Sequence, residues 1–148
     1  MNDTTNPRIH RISISVTTGD KKENVHSALL TTGGGIDGDA HAATGRPLSL
    51  LPLESFVKVS HPDLDIKPGD FAENITTVGL DFTLLSVGSR IRLGNAVEIE
   101  VIQIGKECHN GCVIRETVGD CIMPREGVFA RILNGGRIQQ DDTIEFVK

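Results

Sequence analysis

The sequence has no tryptophan and no tyrosine, and only 5 of its 148 residues are phenylalanine. Aromatic side chains are the platforms on which single-stranded nucleic acids stack, so that mode of binding is not expected. A formal net charge of −5 removes the cationic surplus that a general polyanion binder needs, although a local basic patch can still hold one small anion. No apolar run approaches the length needed to cross a bilayer. The opening Met1-Asn2-Asp3-Thr4-Thr5-Asn6-Pro7 lacks the basic flank and apolar stretch of a secretion signal. Without such a signal the sequons Asn2-Asp3-Thr4 and Asn74-Ile75-Thr76 carry no glycosylation reading. The 3 cysteines, an odd number, indicate no disulfide framework. The expectation is a soluble, cytoplasmic protein with neither a membrane nor a nucleic-acid partner.

What is present points to a single β-rich domain over residues 1–148. Apolar residues make up 38% and charged residues 24%, enough of each to exclude intrinsic disorder and to build a core without staples. Period-two alternation recurs in Ile12-Ser13-Ile14-Ser15-Val16, Ile91-Arg92-Leu93, Val97-Glu98-Ile99-Glu100-Val101 and Ile144-Glu145-Phe146, as half-buried strands require. Turn signals separate them, among them Gly19-Asp20, Pro68-Gly69-Asp70, Gly94-Asn95 and Gly135-Gly136. Short strands at regular spacing predict a mainly β fold, barrel-like or strongly bent, with a few short helices. Pro52–Val59 reads as one of those helices, with Pro52 in its first turn. The stretch Gly127–Gly135 fits strand or short helix, and Arg131 with Glu126 forms a candidate ion pair.

Gly33-Gly34-Gly35-Ile36-Asp37-Gly38 satisfies the letters of a dinucleotide fingerprint, but no helix-forming stretch follows to hold a pyrophosphate. A loop whose amides cup an anion is the better expectation. Gly38-Asp39-Ala40-His41 then offers a turn that leaves an imidazole available as base, donor or ligand; a surface Asx turn is the bland alternative. Pro68-Gly69-Asp70-Phe71-Ala72-Glu73-Asn74-Ile75-Thr76 serves equally as a binding loop or a hydrogen-bonded corner.

All three thiols fall in one run, with Cys108-His109-Asn110-Gly111-Cys112 followed by Gly119-Asp120-Cys121. Three readings stand side by side. A zinc site would need His41 or another distant residue as fourth ligand. Buried structural cysteine explains one thiol better than a cluster. The preferred reading is a reactive thiolate, carrying a persulfide or binding a thiophilic metal, with Lys106, Arg115 and Arg125 lowering its pKa or holding an adjacent anion.

In order along the chain, Gly38-Asp39-Ala40-His41, Leu48-Ser49-Leu50-Leu51, the Pro68–Thr76 loop, Val87-Gly88-Ser89-Arg90-Ile91-Arg92-Leu93-Gly94, the cysteine segment and Gly135–Asp142 resemble the MOSC family, named after the C-terminal domain of molybdenum cofactor sulfurase. Agreement runs from about Gly35 to the C-terminus, and the wording of the cysteine segment is similar to the small stand-alone branch. The resemblance implies a barrel-like β domain that handles the molybdenum cofactor (molybdopterin), or sulfur destined for it. It implies Cys108 or Cys112 as the reactive or metal-binding thiol. It also implies that Asp39, His41, Glu73 and Asn74 line the same cleft, with Arg46, Lys106 or Arg125 on the pterin phosphate. Implied partners are cofactor-biosynthesis enzymes or molybdoenzymes. No pyridoxal phosphate lysine site is identifiable, so desulfurase activity is not expected of this chain. A molybdenum-dependent reduction of N-hydroxylated compounds would need a separate electron donor, since no flavin, haem or iron–sulfur motif is present. A non-catalytic cofactor carrier that docks on a partner, or a zinc-stabilised β domain, are the alternatives.

Overall fold

The computed structural model describes residues 6–15, 23–39, 48–59, 67–68, 73–105 and 127–147. Alternating sequence becomes strand throughout: β1 Arg8–Ile14, β2 Glu23–Val25, β3 Ser27–Leu30, β4 Leu48–Pro52, β5 Ile75–Val78, β6 Arg90–Leu93, β7 Val97–Ile104, β8 Val128–Asn134, β9 Gly136–Gln139 and β10 Ile144–Val147. Among the described residues helix is confined to two 3-10 segments, Leu53–Val59 and Phe82–Leu84. The expected short helix therefore forms in the tighter geometry, directly after Pro52 ends β4, and the ambiguous Gly127–Gly135 stretch is strand.

Eight strands make one sheet in the order β10-β6-β7-β8-β4-β5-β1-β2, and β3 pairs with β9 in a second sheet of two. The mainly β expectation holds, and of its two forms, barrel-like or strongly bent, the large sheet takes the open, bent one. No ladder joins β10 to β1, and β2 occupies the far edge. The ends are nonetheless drawn together. Arg8 and Thr143 form a single antiparallel bridge. Around it Ile9 N donates to Asp142 O at 2.9 Å, Asp141 N to Ile9 O at 2.8 Å, and Ile144 N to Pro7 O at 3.0 Å. The sheet is thus strongly curled, one bridge short of a ring.

One face of the curl is apolar. Ile9 and Ile12 of β1, Leu48 and Leu50 of β4, Ile75, Ile91, Leu93, Val97, Ile99, Val101, Val128, Ala130, Ile132 and Ile144 form a single buried cluster. Each such side chain contributes roughly 1.5–3 kcal/mol on burial. Ala28, Leu30 and Ile138 of the small sheet, with Ile36, complete the cluster from above. On the outer face of β6–β8, Glu100 accepts from Arg131 Nε at 2.6 Å and lies 3.9 Å from Arg90 Nε. Pairs this exposed contribute under about 1 kcal/mol each. Arg131 thus finds Glu100, while its expected partner Glu126 lies outside the described residues.

The two sheets are laced together where the chain crosses from β8 to β9. Gly33 N donates to Ile132 O at 2.9 Å and Gly135 N to Thr32 Oγ1 at 2.8 Å. A Cβ on Gly135 would collide with the Leu30 carbonyl oxygen and lie 2.8 Å from Thr32 N. The same lacing corrects the expected anion cup. Gly33 and Gly34 amides already donate to the Ile132 and Thr31 carbonyls, so the glycine run is a closed turn.

Gly135→Ala is expected to lower unfolding free energy by about 2 kcal/mol or more, since neither contacting group is a movable side chain; denaturant titration checks it. A second expectation concerns His10, which sits at a bulge between the Ile9 and Arg11 pairings of β1. Burial, then Arg11 and Arg8, hold its pKa below the ordinary imidazole value, against smaller opposing effects of Asp141 and Glu54. The unfolded chain then binds the proton more readily, so this contribution to stability is complete above the ordinary value and is lost as pH falls through it. His10→Gln should flatten the acid side of the stability–pH curve between pH about 7 and 5.

Candidate functional site

β4 is buried along its whole length, as a strand covered on both faces must be. Leu48 and Leu50 enter the apolar cluster, so alternation turns Ser49 and Leu51 to the opposite face. That second face is covered as well. Leu51, Phe56 and Phe129 are buried without belonging to the main cluster, and Ser13, Ser49, Asn74 and Thr76 are buried beside them.

Ser13, Asn24, Ser49, Asn74 and Gln103 lie along one row across the sheet, with the apolar Phe129 between Ser49 and Gln103. Ser13 of β1 is opposite Asn24 of β2, Phe129 of β8 is opposite both Ser49 of β4 and Gln103 of β7, and Asn74 stands between Ser13 and Ser49. Asn74 holds the centre. Its Oδ1 accepts from Ser49 N and Ser49 Oγ, both at 3.1 Å, and its Nδ2 donates to Ser13 O at 3.3 Å. Its backbone N donates to Ser49 O and Ser49 Oγ, both at 3.0 Å, while its carbonyl accepts from Ser13 N at 2.7 Å. At one end of the row, Asn24 Nδ2 donates to Ser13 Oγ at 2.7 Å and to Pro68 O at 3.1 Å. At the other, Gln103 Nε2 donates to Gly105 O at 2.8 Å. There Gly105 N meets Gly127 O at 2.6 Å, so the segment that carries the three cysteines departs and returns through one hydrogen-bonded neck.

Of the residues singled out in the sequence, three are described, and they sit at the same end of β1, β4 and β5. Asp39 is 8% exposed and its Oδ1 accepts from Ser15 N at 2.7 Å. Glu73 is fully buried, its Oε2 accepting from Thr76 Oγ1 at 2.7 Å. Asn74 bonds as above. His41, Arg46, Lys106, Cys108, Cys112, Cys121 and Arg125 lie outside the described residues. No group of three or more His, Cys, Asp or Glu able to hold a metal occurs among the described residues. Sequence reasoning missed Ser13, Asn24, Ser49 and Gln103. Ser49 stood inside a quoted motif, and a lone hydroxyl in an otherwise apolar strand was the available signal.

A family model, MOSC domain, matches residues 37–145. The chain belongs to the MOSC domain family. That match begins just before Asp39 and spans Glu73, Asn74 and the cysteine segment, and the family is one related to the molybdenum cofactor. No curated protein sequence matches. Solved structures share the fold of this MOSC chain. YuaD from Bacillus subtilis is 20% identical with a TM-score of 0.76, over 93% of each chain. YiiM from Geobacillus stearothermophilus is 21% identical with a TM-score of 0.72, covering 96% of this chain and 75% of that one. YiiM from Escherichia coli is 24% identical with a TM-score of 0.65, over 93% of this chain and 70% of its own. No helix among the described residues is long and apolar enough to cross a membrane.

Removing the Ser49 hydroxyl takes two buried bonds from Asn74 but leaves Ser49 N on Oδ1. Ser49→Ala should therefore cost about 1 kcal/mol, measured by denaturant unfolding, with strand content unchanged by circular dichroism.

Proposed function

We propose that this MOSC protein binds the molybdenum cofactor, or a precursor of it, as cargo, and carries sulfur for its maturation on Cys108 or Cys112. The observation that supports this most is the polar row. It links the flanks of the Gly38–His41 turn and the Glu73–Asn74 corner to the neck of the cysteine segment, so the chain's chemical groups are rooted along one covered face. The donor set suits such a cargo. Thiolates are soft ligands for a thiophilic metal. Arg46, Lys106 and Arg125 complement a pterin phosphate with charge-assisted hydrogen bonds. His41 and Glu73 supply polar contacts, with Asp39 and Asn74 shaping the cleft floor.

The sulfur chemistry needs only the thiol itself. The Cys108 or Cys112 thiolate attacks the outer sulfur of a donor persulfide, and the donor leaves as its thiolate. One S–S bond forms as one breaks, so no oxidant is consumed. Partners in this reading are cofactor-biosynthesis enzymes or molybdoenzymes that deliver or accept the cargo, in the cytoplasm.

Protein purified from cells that make the cofactor should contain stoichiometric molybdenum and pterin, or an adduct of about 32 Da that one sulfur atom adds. Cys108→Ser or Cys112→Ser should abolish the adduct, and at least one should weaken cofactor binding tenfold or more, on the scale of lost metal ligands, about 10–100-fold. Full binding by the double serine variant defeats the proposal. Zinc as the sole bound metal, removable by chelation with loss of fold, would replace it with a structural metal site.

A further inference from the structure

We infer that Asp39 is a positioning residue. Its carboxylate takes the place of the next rung of the β1–β5 ladder, and so ties the end of β1 to the Ile36–Asp39 turn. The registered pairing of β1 with β5 ends at Ile12 and Ile75. One residue further, Ser13 still exchanges both backbone bonds' worth of contact with Asn74, through Ser13 N to Asn74 O and Asn74 Nδ2 to Ser13 O. Along a strand, N–H groups two residues apart point to the same side. Ser15 N therefore faces the β5 side as Ser13 N does, and there it meets Asp39 Oδ1 at 2.7 Å instead of a strand. Ser15 is 2% exposed. A buried N–H must find a partner, and a carboxylate is a stronger acceptor than a peptide carbonyl.

The placement gives this bond its reach. Ser15 immediately precedes residues 16–22, and Asp39 immediately precedes residues 40–47. Asp39 is itself held from behind, its amide donating to Ile36 O at 3.1 Å. One hydrogen bond thus joins the end of β1 to the Ile36–Asp39 turn. A residue in this role acts by geometry, not by charge presented to a ligand. Its bearing on cargo rests on the function proposed above; its tie between β1 and the turn does not.

Asp39→Asn keeps an Oδ1 acceptor and removes the charge, whereas Asp39→Ala removes both, so the pair separates the two roles. Amide hydrogen exchange read by mass spectrometry at residues 10–15 and 36–39 should rise about tenfold in Asp39→Ala, with β6–β8 unchanged, as a local opening would give. Binding of isolated molybdenum cofactor, followed by pterin fluorescence, should weaken about tenfold in the same variant through lost preorganisation. Asp39→Asn should restore both to within about twofold, since only the acceptor is required. Asp39→Asn exchanging like Asp39→Ala overturns the inference. So does native exchange in Asp39→Asn with binding still impaired, because the charge itself would then touch the cargo. Should Asp39→Ala fail to fold, Asp39→Asn against the unaltered protein decides alone. Should the unaltered protein bind no cofactor, the function proposed above fails while the exchange comparison still judges Asp39.

Discussion

The hydrogen bonds of Asn74 are the constraint on which the rest of this structure depends. A sheet with one apolar face can leave the other to water, but here the second face is covered around β1, β4 and β5, and the polar groups buried there need partners in the protein. Asn74 supplies an acceptor, a donor and both backbone groups to β1 and β4 at once. An apolar residue of similar size would leave Ser49 N and Ser13 O without those contacts. Asn74 thereby ties β1 to β4 across the head of β5, beyond the ladders that each strand makes with β5.

Burial of polar groups in this way is a choice with a cost, and the molecule concentrates the cost. The apolar cluster on the other face is made almost wholly of Ile, Leu, Val and Ala, side chains without polar atoms to satisfy. The stabilisation they contribute lets the second face be specific instead of merely hydrophobic. Charged residues stand apart again, on the outer face of β6–β8, where their pairing with Glu100 is half-solvated. The core takes one face of the sheet, while polar row and charged residues divide the other between them, Phe129 and Arg131 both lying on that face of β8.

The strands were legible because period two is written into β1, β6, β7 and β10, and the order of motifs was enough to place the chain in its family. The second face was not. Ser13 and Thr76 alternate with isoleucines, and alternation by itself assigns such residues to solvent, yet both are fully buried. Only the covering of that face, a tertiary fact, reverses the reading. The glycine run misled for a related reason. Its amides look available until Ile132 of β8 is known to lie against Gly33. Strand spacing left barrel-like and strongly bent forms open, since closure turns on whether a few residues around Arg8 and Thr143 form a ladder or a single bridge. Of the site, Asp39, Glu73 and Asn74 were found by motif, whereas Asn24 and Gln103 are ordinary strand polar residues whose importance appears only in register.

The bridge between Arg8 and Thr143 has a bearing on how this chain acquires its shape. Pro7 O waits for Ile144 N, and Ile9 for Asp141 and Asp142, so strand β1 has unmet backbone groups until residues more than a hundred positions later have been synthesised. Contacts of that separation are the slowest to form, because the intervening chain must first be ordered. A ribosome-bound fragment ending before residue 141 holds an unsealed sheet, with the start of β1 and the whole of β6 open as edges. Such edges recruit foreign strands. The window of greatest risk therefore lies between the synthesis of β1 and that of residues 141–144.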